Sequence, residues 1–179
     1  GIEVKPEIDI QIDLNVTSYI PEEYIQDPNQ KIEIYQDIAL CKNEEDIQNV
    51  IDEIIDRFGN MPEELENLID IARIKYMAKD LYISKIMSRK TAVVFTFEPN
   101  KKEMDLGLNL NKLIKKYGNK IKFSAGVKPM ITLELGTNNE RQILNDVTEF
   151  LKCLIGDVSL WDTITYTSTF YRLENNGTI

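Results

Sequence analysis

The feature that most constrains the fold is an amphipathic segment that begins near Asn43 and is followed by Gly59 and Pro62, two residue types that are common at helix boundaries. Its apolar residues recur every three or four positions, at Ile47, Val50, Ile51, Ile54, Ile55 and Phe58. This spacing predicts a helix with one apolar stripe. Asn43, with Asp46 three residues later, resembles a capping arrangement at its start. Gly59 is positioned to adopt the left-handed conformation that closes a helix.

Two further helices are predicted on either side of this segment. Pro28 suits a first helical turn, and the helix from about 28 to 41 has an apolar stripe of Ile32, Tyr35, Ile38 and Ala39. Pro62 begins a third helix, to about residue 81, with apolar residues on two sides, which is typical of a central element between layers. We assign structural roles to Phe58 as a core residue, Gly59 as a cap and Pro62 as a helix start.

Strand patterns occupy the N-terminus and the second half. Residues from Glu7 to Val16 alternate between apolar and polar side chains, which predicts a half-buried strand. The stretches LYISKIM and TAVVFTF predict one strand pair, and KIKFSA and MITLEL predict a second. Helices are predicted over 101–117, with Leu106, Leu110, Leu113 and Ile114 inward, and over 140–155, with Ile143, Leu144, Val147, Phe150, Leu151 and Leu154 inward.

These elements indicate an α+β fold. An N-terminal strand and a helical layer of three helices would pack with a small, mostly antiparallel sheet and two further helices. We divide the chain into an N-terminal arm at 1–19, a domain at 20–155 and a C-terminal extension of unknown role at 156–179, where TITYTSTFYRL could add an edge strand or meet a neighbouring chain. Because the chain begins without Met, we expect a piece of a longer protein.

The composition limits the chemistry. A formal net charge of −9 argues against phosphate-backbone binding as the main task. The chain has no histidine, the usual general base near neutral pH and the commonest metal ligand. It has no glycine-rich phosphate loop and no GxSxG motif, and Cys41 and Cys153 form no CxxC pattern. No apolar stretch approaches membrane-spanning length. We expect no catalytic residue, metal or cofactor, no direct nucleic-acid or membrane contact, and a cytoplasmic location.

The charged face of the helix over 43–58 admits two interpretations. A helical projection places Asn49, Asp52, Glu53 and Asp56 opposite the apolar stripe. Glu53 and Asp56 are i,i+3 neighbours near the helix C-terminus, where like negative charges cost a few tenths to about 1 kcal/mol, and Arg57 would offset part of this cost. The face is either ordinary solvated surface or a docking site for a partner's arginines.

A series of short motifs resembles a known family. Ile20-Pro21, Tyr24-Ile25 and Asp27 begin the series, and Lys31, Tyr35 and Ile38-Ala39 continue it. EIIDRFGNMP at 53–62 and NLIDIARIK at 67–75 follow. The order and spacing resemble the C-terminal domain of bacterial transcription-repair coupling factors (the Mfd family). The resemblance extends over roughly residues 8–155 and is densest between 20 and 83.

The resemblance implies a function without chemistry in this chain. Family members are ATP-driven translocases on double-stranded DNA that dislodge stalled RNA polymerase and recruit the repair protein UvrA. Their C-terminal domain docks on a UvrB-like module and masks the UvrA-recruiting surface. We therefore expect a regulatory domain whose partner is the UvrB-like module of its parent, and which affects UvrA and RNA polymerase indirectly. Glu53 and Asp56 would form the acidic half of the contact, with Asn49, Asp52 and Arg57 at its rim.

Three other functions stay open from the sequence. The domain could itself recruit a repair or transcription partner as a stand-alone adaptor. It could be a small acidic enzyme of unknown type. It could also bind nucleic acid through Lys112, Lys115, Lys116, Lys120 and Lys122, although no aromatic residue lies among these lysines before Tyr117.

Overall fold

The helices and strands follow one another in the predicted order. The computed structural model describes residues 8–98 and 106–155, without the side chains of 106–109. The elements are β1 (Gln11–Asp13), α1 (Pro28–Leu40), α2 (Glu44–Phe58), α3 (Glu63–Asp80), β2 (Ile83–Arg89), β3 (Ala92–Phe97), α4 (Leu106–Tyr117), β4 (Ile121–Ser124), β5 (Met130–Glu134) and α5 (Glu140–Ile155). The α+β class is confirmed. None of the described helices is both long and apolar enough to cross a bilayer.

Some predictions fall outside the described residues. These are Glu7 of the predicted first strand, residues 101–105 of the predicted fourth helix, the side chain of Leu106 and the whole extension 156–179. The domain limits at residues 19 and 155 stay predictions.

The sheet has five strands in the order β1-β2-β3-β5-β4. β1 runs parallel to β2, with Ile12 beside Ile86, and the other pairs are antiparallel. The first strand is shorter than the predicted 7–16, although its alternation persists, since Ile10 and Leu14 are buried. The backbone ladder ends early, because the Asn15 N–H donates to the side-chain hydroxyl of Ser88 on β2 at 3.0 Å instead of to a backbone carbonyl of that strand.

Helix α3 is the central helix, as its two apolar sides predict. It contacts α1, α2, α5 and strand β2. Its buried residues lie on more than one side: Leu65, Asn67, Ile69, Ile74, Tyr76, Met77 and Ala78. Because α3 is covered on several sides, it fixes the helical layer against the sheet.

Helix α5 packs as predicted, with all six inward residues buried. Phe150 lies 4.6 Å from Phe95 of β3 and 5.5 Å from Tyr117 at the end of α4, measured between ring centroids. Burying each large apolar side chain stabilises the fold by roughly 1.5–3 kcal/mol. This aromatic cluster joins α5, α4 and the sheet.

The predicted inward face of α1 is correct for Ile38 and wrong for the other three residues. Ile34 and Ile38 are the buried residues, whereas Ile32 is 55% exposed and Tyr35 and Ala39 lie on the surface. The helix carries isoleucines on both sides, so helical periodicity alone cannot decide which side faces the core. Tyr35 lies at the margin, where its hydroxyl accepts a hydrogen bond from the Ile20 N–H at 2.8 Å.

Two other predicted core residues are exposed. Ile55 of α2 and Ile114 of α4 each follow a fully buried residue, Ile54 and Leu113 respectively. Successive helix residues point about 100° apart, so a residue that directly follows a buried one faces away from the core. The buried stripe of both helices is therefore narrower than the run of apolar residues in the sequence suggests.

Candidate docking site

The start of α2 is capped as predicted. The side-chain oxygen of Asn43 accepts the Asp46 N–H at 2.9 Å. The Asp46 carboxylate in turn accepts the N–H of Lys42 at 2.9 Å, one residue before the cap. Three acidic residues in the first turn, Glu44, Glu45 and Asp46, complement the helix dipole there.

The end of α2 depends on a glycine, although not in the predicted conformation. Gly59 has φ +84° and ψ −160°, which is not the left-handed helical conformation but a region that essentially only glycine adopts. Its N–H donates to the carbonyl of Ile55 at 2.9 Å, and its own carbonyl accepts the hydroxyl of Tyr24 at 2.7 Å. Pro62 then caps α3 with extended backbone.

Phe58 fixes this end of α2 against its surroundings. It is half-buried against the core, so the core assignment holds in part. The ring centroid of Tyr24 lies 6.0 Å from that of Phe58, and the guanidinium carbon of Arg57 lies 5.0 Å over the Phe58 ring. An aromatic neighbour and a cation over its face both restrict the ring.

All five predicted site residues are exposed on α2. Asp52 accepts a hydrogen bond from the side chain of Gln48 at 2.8 Å. The side chains of Asn49 and Asp56 make no hydrogen bond or ion pair with any other described residue. The projection from the sequence therefore placed these residues on the correct side of the helix.

The structure nevertheless gives Glu53 a different set of neighbours from the predicted pairing with Asp56. Glu53 accepts the Arg57 guanidinium at 2.6 Å, and the same guanidinium reaches Glu33 of α1 at 3.3 Å. Carboxylate oxygens of Glu33, Asp37 and Glu53 lie within 4.8 Å of one another. Sequence reasoning missed Glu33 and Asp37, because their i,i+4 spacing gains meaning only once the buried face of α1 is known.

The electrostatics of this cluster follow from its crowding. Burial, followed by repulsion from Glu53 and Glu33, raises the pKa of Asp37, and Arg57 opposes this rise. The hydrogen bond to Glu53 raises the pKa of Arg57. Because the guanidinium already lies between two of the three carboxylates, we assign no metal to this cluster. One arginine for three carboxylates leaves an excess of negative charge beside Asp56.

A second charged network lies across α3 and was not predicted. Arg73 donates to both oxygens of Glu44 at 2.7 and 2.9 Å and to Asp70 at 2.8 Å, and the hydroxyl of Tyr76 donates to Glu44 at 2.9 Å. Burial, followed by the charge of Glu44, raises the pKa of Tyr76. Each charge in this network has its partner within the chain, so its role is structural.

Asn67 extends this network to the N-terminal arm. It is 1% exposed, and its amide donates to the carbonyl of Thr17 at 2.9 Å. Its side-chain oxygen accepts the Arg141 guanidinium at 2.8 Å, and Arg141 also donates to Asp70 at 2.8 Å. The backbone N–H of Thr17 donates to Glu140 at 3.0 Å. These bonds join the arm, α3 and α5.

Comparison with known proteins identifies the family of this chain. Residues 14–106, just over half of the chain, match the model of the TRCF domain. The chain belongs to this family. The transcription-repair-coupling factor of Bacillus subtilis is 35% identical over 150 residues, which are 83% of this chain and 13% of that protein.

Other relatives agree with this assignment. The transcription-repair-coupling factor of Staphylococcus epidermidis is 30% identical over 155 residues, 86% of this chain and 13% of its own length. The Escherichia coli protein of the same name is 33% identical over 87 residues, 49% of this chain and 8% of its own length. The chain thus spans 13% of the length of the first two relatives.

A solved structure supports the fold. The crystal structure of a C-terminal domain of transcription-repair coupling factor superposes with a TM-score of 0.74 at 22% identity. The superposition covers 82% of this chain and 92% of that one. The two chains therefore share one fold over most of their length.

Proposed function

We propose that this chain is an autoinhibitory domain of a transcription-repair coupling factor, which docks on the UvrB-like module of its parent and masks UvrA recruitment. The observation that carries the proposal is the exposed acidic end of α2. Asp56 has no partner among the described residues, and it adjoins a cluster with more carboxylates than cations. Such a surface is complementary to arginines on a partner.

The residues around this surface are held in place by contacts within the chain, which favours docking. Arg57 is held by Glu53, Glu33 and the ring of Phe58, and Gly59 fixes the end of the helix. A face that is already ordered loses less conformational entropy on binding. In this proposal a partner's guanidinium groups bind Asp56 and the outer oxygens of Glu53, while Asn49, Asp52 and Arg57 form the rim.

A modest contact is sufficient for masking within one polypeptide. A flexible tether presents the partner at an effective concentration on the order of mM. A micromolar contact would then favour the closed form by roughly a thousandfold and still open when another partner competes. Exposed ion pairs suit such a latch because salt and competing charges weaken them.

The test is capture of UvrA by the intact parent protein. We expect Glu53→Ala/Asp56→Ala to increase UvrA capture by at least tenfold, because the contact loses both central carboxylates. The matched control is Asp9→Ala/Asp13→Ala, which removes the same charge from two exposed positions on the arm and should leave capture unchanged.

Two results would contradict the masking proposal. One is equal capture of UvrA by the parent with and without the Glu53/Asp56 substitutions. The other is capture of UvrA by this chain alone, which would identify it as a stand-alone adaptor.

A further inference from the structure

We propose that the edge of β4 opposite β5 binds an extended peptide in which acidic and apolar residues alternate. This inference does not depend on the proposed masking role, because the β4 edge and the acidic end of α2 share no residue. β4 is the last strand in the sheet order and pairs with β5 on one side. No described strand lies on its other side, where the backbone N–H and C=O groups can receive an added strand.

The side chains of β4 define what an added strand would present. Ile121 is buried, but Lys122, Phe123 and Ser124 are exposed. Phe123 pairs in register with Ile131 on the face that packs on the helices, and it is 49% exposed. Lys122 pairs with Thr132 and points to the opposite face. A strand beside β4 would therefore place an apolar residue next to Phe123 and an acidic residue next to Lys122.

The surrounding charge favours an acidic partner. From Lys112 to Met130 the sequence has six lysines and no carboxylate, in a chain whose formal net charge is −9. Lys116 pairs with Glu149 at 3.8 Å and Lys128 with Glu98 at 2.6 Å. The other four, at 112, 115, 120 and 122, form no ion pair with any residue in the described part of the chain. Lysines on an edge discourage uncharged strands, so they select for acidic ones.

A single-stranded nucleic acid would meet the same lysines, but it fits the edge less well. Such strands stack successive bases on several aromatic side chains, whereas residues 118–130 expose one aromatic ring, that of Phe123. The unpaired edge of a strand has no role in that mode. A peptide uses the edge, the lysines and the exposed ring together.

The test is fluorescence anisotropy of the whole chain with labelled nine-residue peptides. One peptide alternates Glu and Val, and a second has the same composition with the Glu and Val residues in two blocks. We expect the alternating peptide to bind at least fivefold more tightly. Lys122→Glu should weaken the binding of this peptide about five- to tenfold, because the substitution replaces an attractive surface ion pair with a repulsive one. Lys75→Glu, an exposed lysine on α3, is the matched control and should have no effect.

Backbone methylation tests strand addition itself. A strand added at an edge forms hydrogen bonds with β4 through every second residue only. N-methyl groups on one alternate set of peptide residues should therefore abolish binding, while those on the other set should not. Equal binding of the alternating and block peptides, or no binding of either, would overturn the proposal. Tighter binding of a dT15 oligonucleotide that depends on Phe123 would also overturn it and assign the edge to nucleic acid.

Discussion

The two charged clusters on the helical layer use the same kinds of side chain but differ in where their charges find partners. On α3, Arg73 and Asp70 bind Glu44 and Arg141 of neighbouring helices, and buried Asn67 completes the network. At the end of α2, three carboxylates share one arginine, and Asp56 has no partner among the described residues. The number of charges does not separate a structural cluster from a candidate docking face. What separates them is whether each charged side chain forms an ion pair or hydrogen bond with another described residue.

The largest effect should come from breaking the satisfied network. Asn67→Ala removes the donor to the Thr17 carbonyl and the acceptor for Arg141, so we expect a loss of about 2–3 kcal/mol of unfolding free energy. Urea denaturation measures it. Asn49→Ala is the matched control, since Asn49 is exposed on α2, and it should change stability by less than about 0.5 kcal/mol. Equal effects of the two substitutions would remove the distinction between the clusters.

The second-largest effect on stability should come from Gly59, whose backbone conformation ends α2 beside the acidic face. Gly59→Val should destabilise the domain by about 1–3 kcal/mol, because valine is strained at φ +84° and ψ −160° although the space around the position is open. Gly126→Val is the control, since a Cβ there meets only the Lys128 carbonyl at 4.0 Å. Thermal melting of both variants measures the difference. An unchanged melting temperature for Gly59→Val would contradict the claim that the end of α2 requires a glycine.

A pH titration examines the junction between α1 and α2. Burial, followed by the charges of Asp46, Asp37 and Glu44, raises the pKa of Cys41 from 9.0 to about 11. Between these values the native state keeps a proton that the unfolded chain has lost, so stability falls as the pH rises through this window. Two pKa units correspond to about 2.7 kcal/mol, and solvent screening of this half-buried thiol reduces that value. We therefore expect the unfolding free energy of the wild type to fall by roughly 1–2.5 kcal/mol more than that of Cys41→Ala, whose own decline reports the other groups. Parallel curves for the two proteins would contradict a raised pKa for this half-buried thiol.

The smallest effect should come from the candidate docking face. Asp56→Ala should change the unfolding free energy by no more than about 0.5 kcal/mol. We expect the change to be a slight increase, because an anion near a helix C-terminus interacts unfavourably with the helix dipole. Urea denaturation under the conditions used for Asn67→Ala gives the comparison. A loss above about 1 kcal/mol would mean that Asp56 has a structural partner and does not belong to an unmatched surface.

The sequence predicted elements well where one residue pattern determined them. All six buried residues of α5 follow from its single apolar stripe, whereas α1 has isoleucines on two sides and Ile38 is the one predicted inward residue that is buried. The predictions for Ile55 and Ile114 fail for a different reason: each directly follows a buried residue in an apolar run, and the next helix position points about 100° away from the core.

The candidate site was predicted in its positions but not in its contacts. The spacing along α2 was sufficient to place Asp52, Glu53 and Asp56 on the exposed face. It could not show that Glu53 joins Glu33 and Asp37, because that depends on how α1 packs. The network around Arg73 and Arg141 joins residues 29 and 71 positions apart, and no local pattern encodes such pairing.

The most direct test of the central claim is titration calorimetry of this chain against the separately purified UvrB-like module of the same parent, at low and moderate salt. The proposal predicts micromolar binding that weakens with salt, is lost in Glu53→Ala/Asp56→Ala, and is retained in Asp9→Ala/Asp13→Ala. Equal binding of wild type and the Glu53/Asp56 variant would contradict it, and would leave the acidic end of α2 as solvated surface.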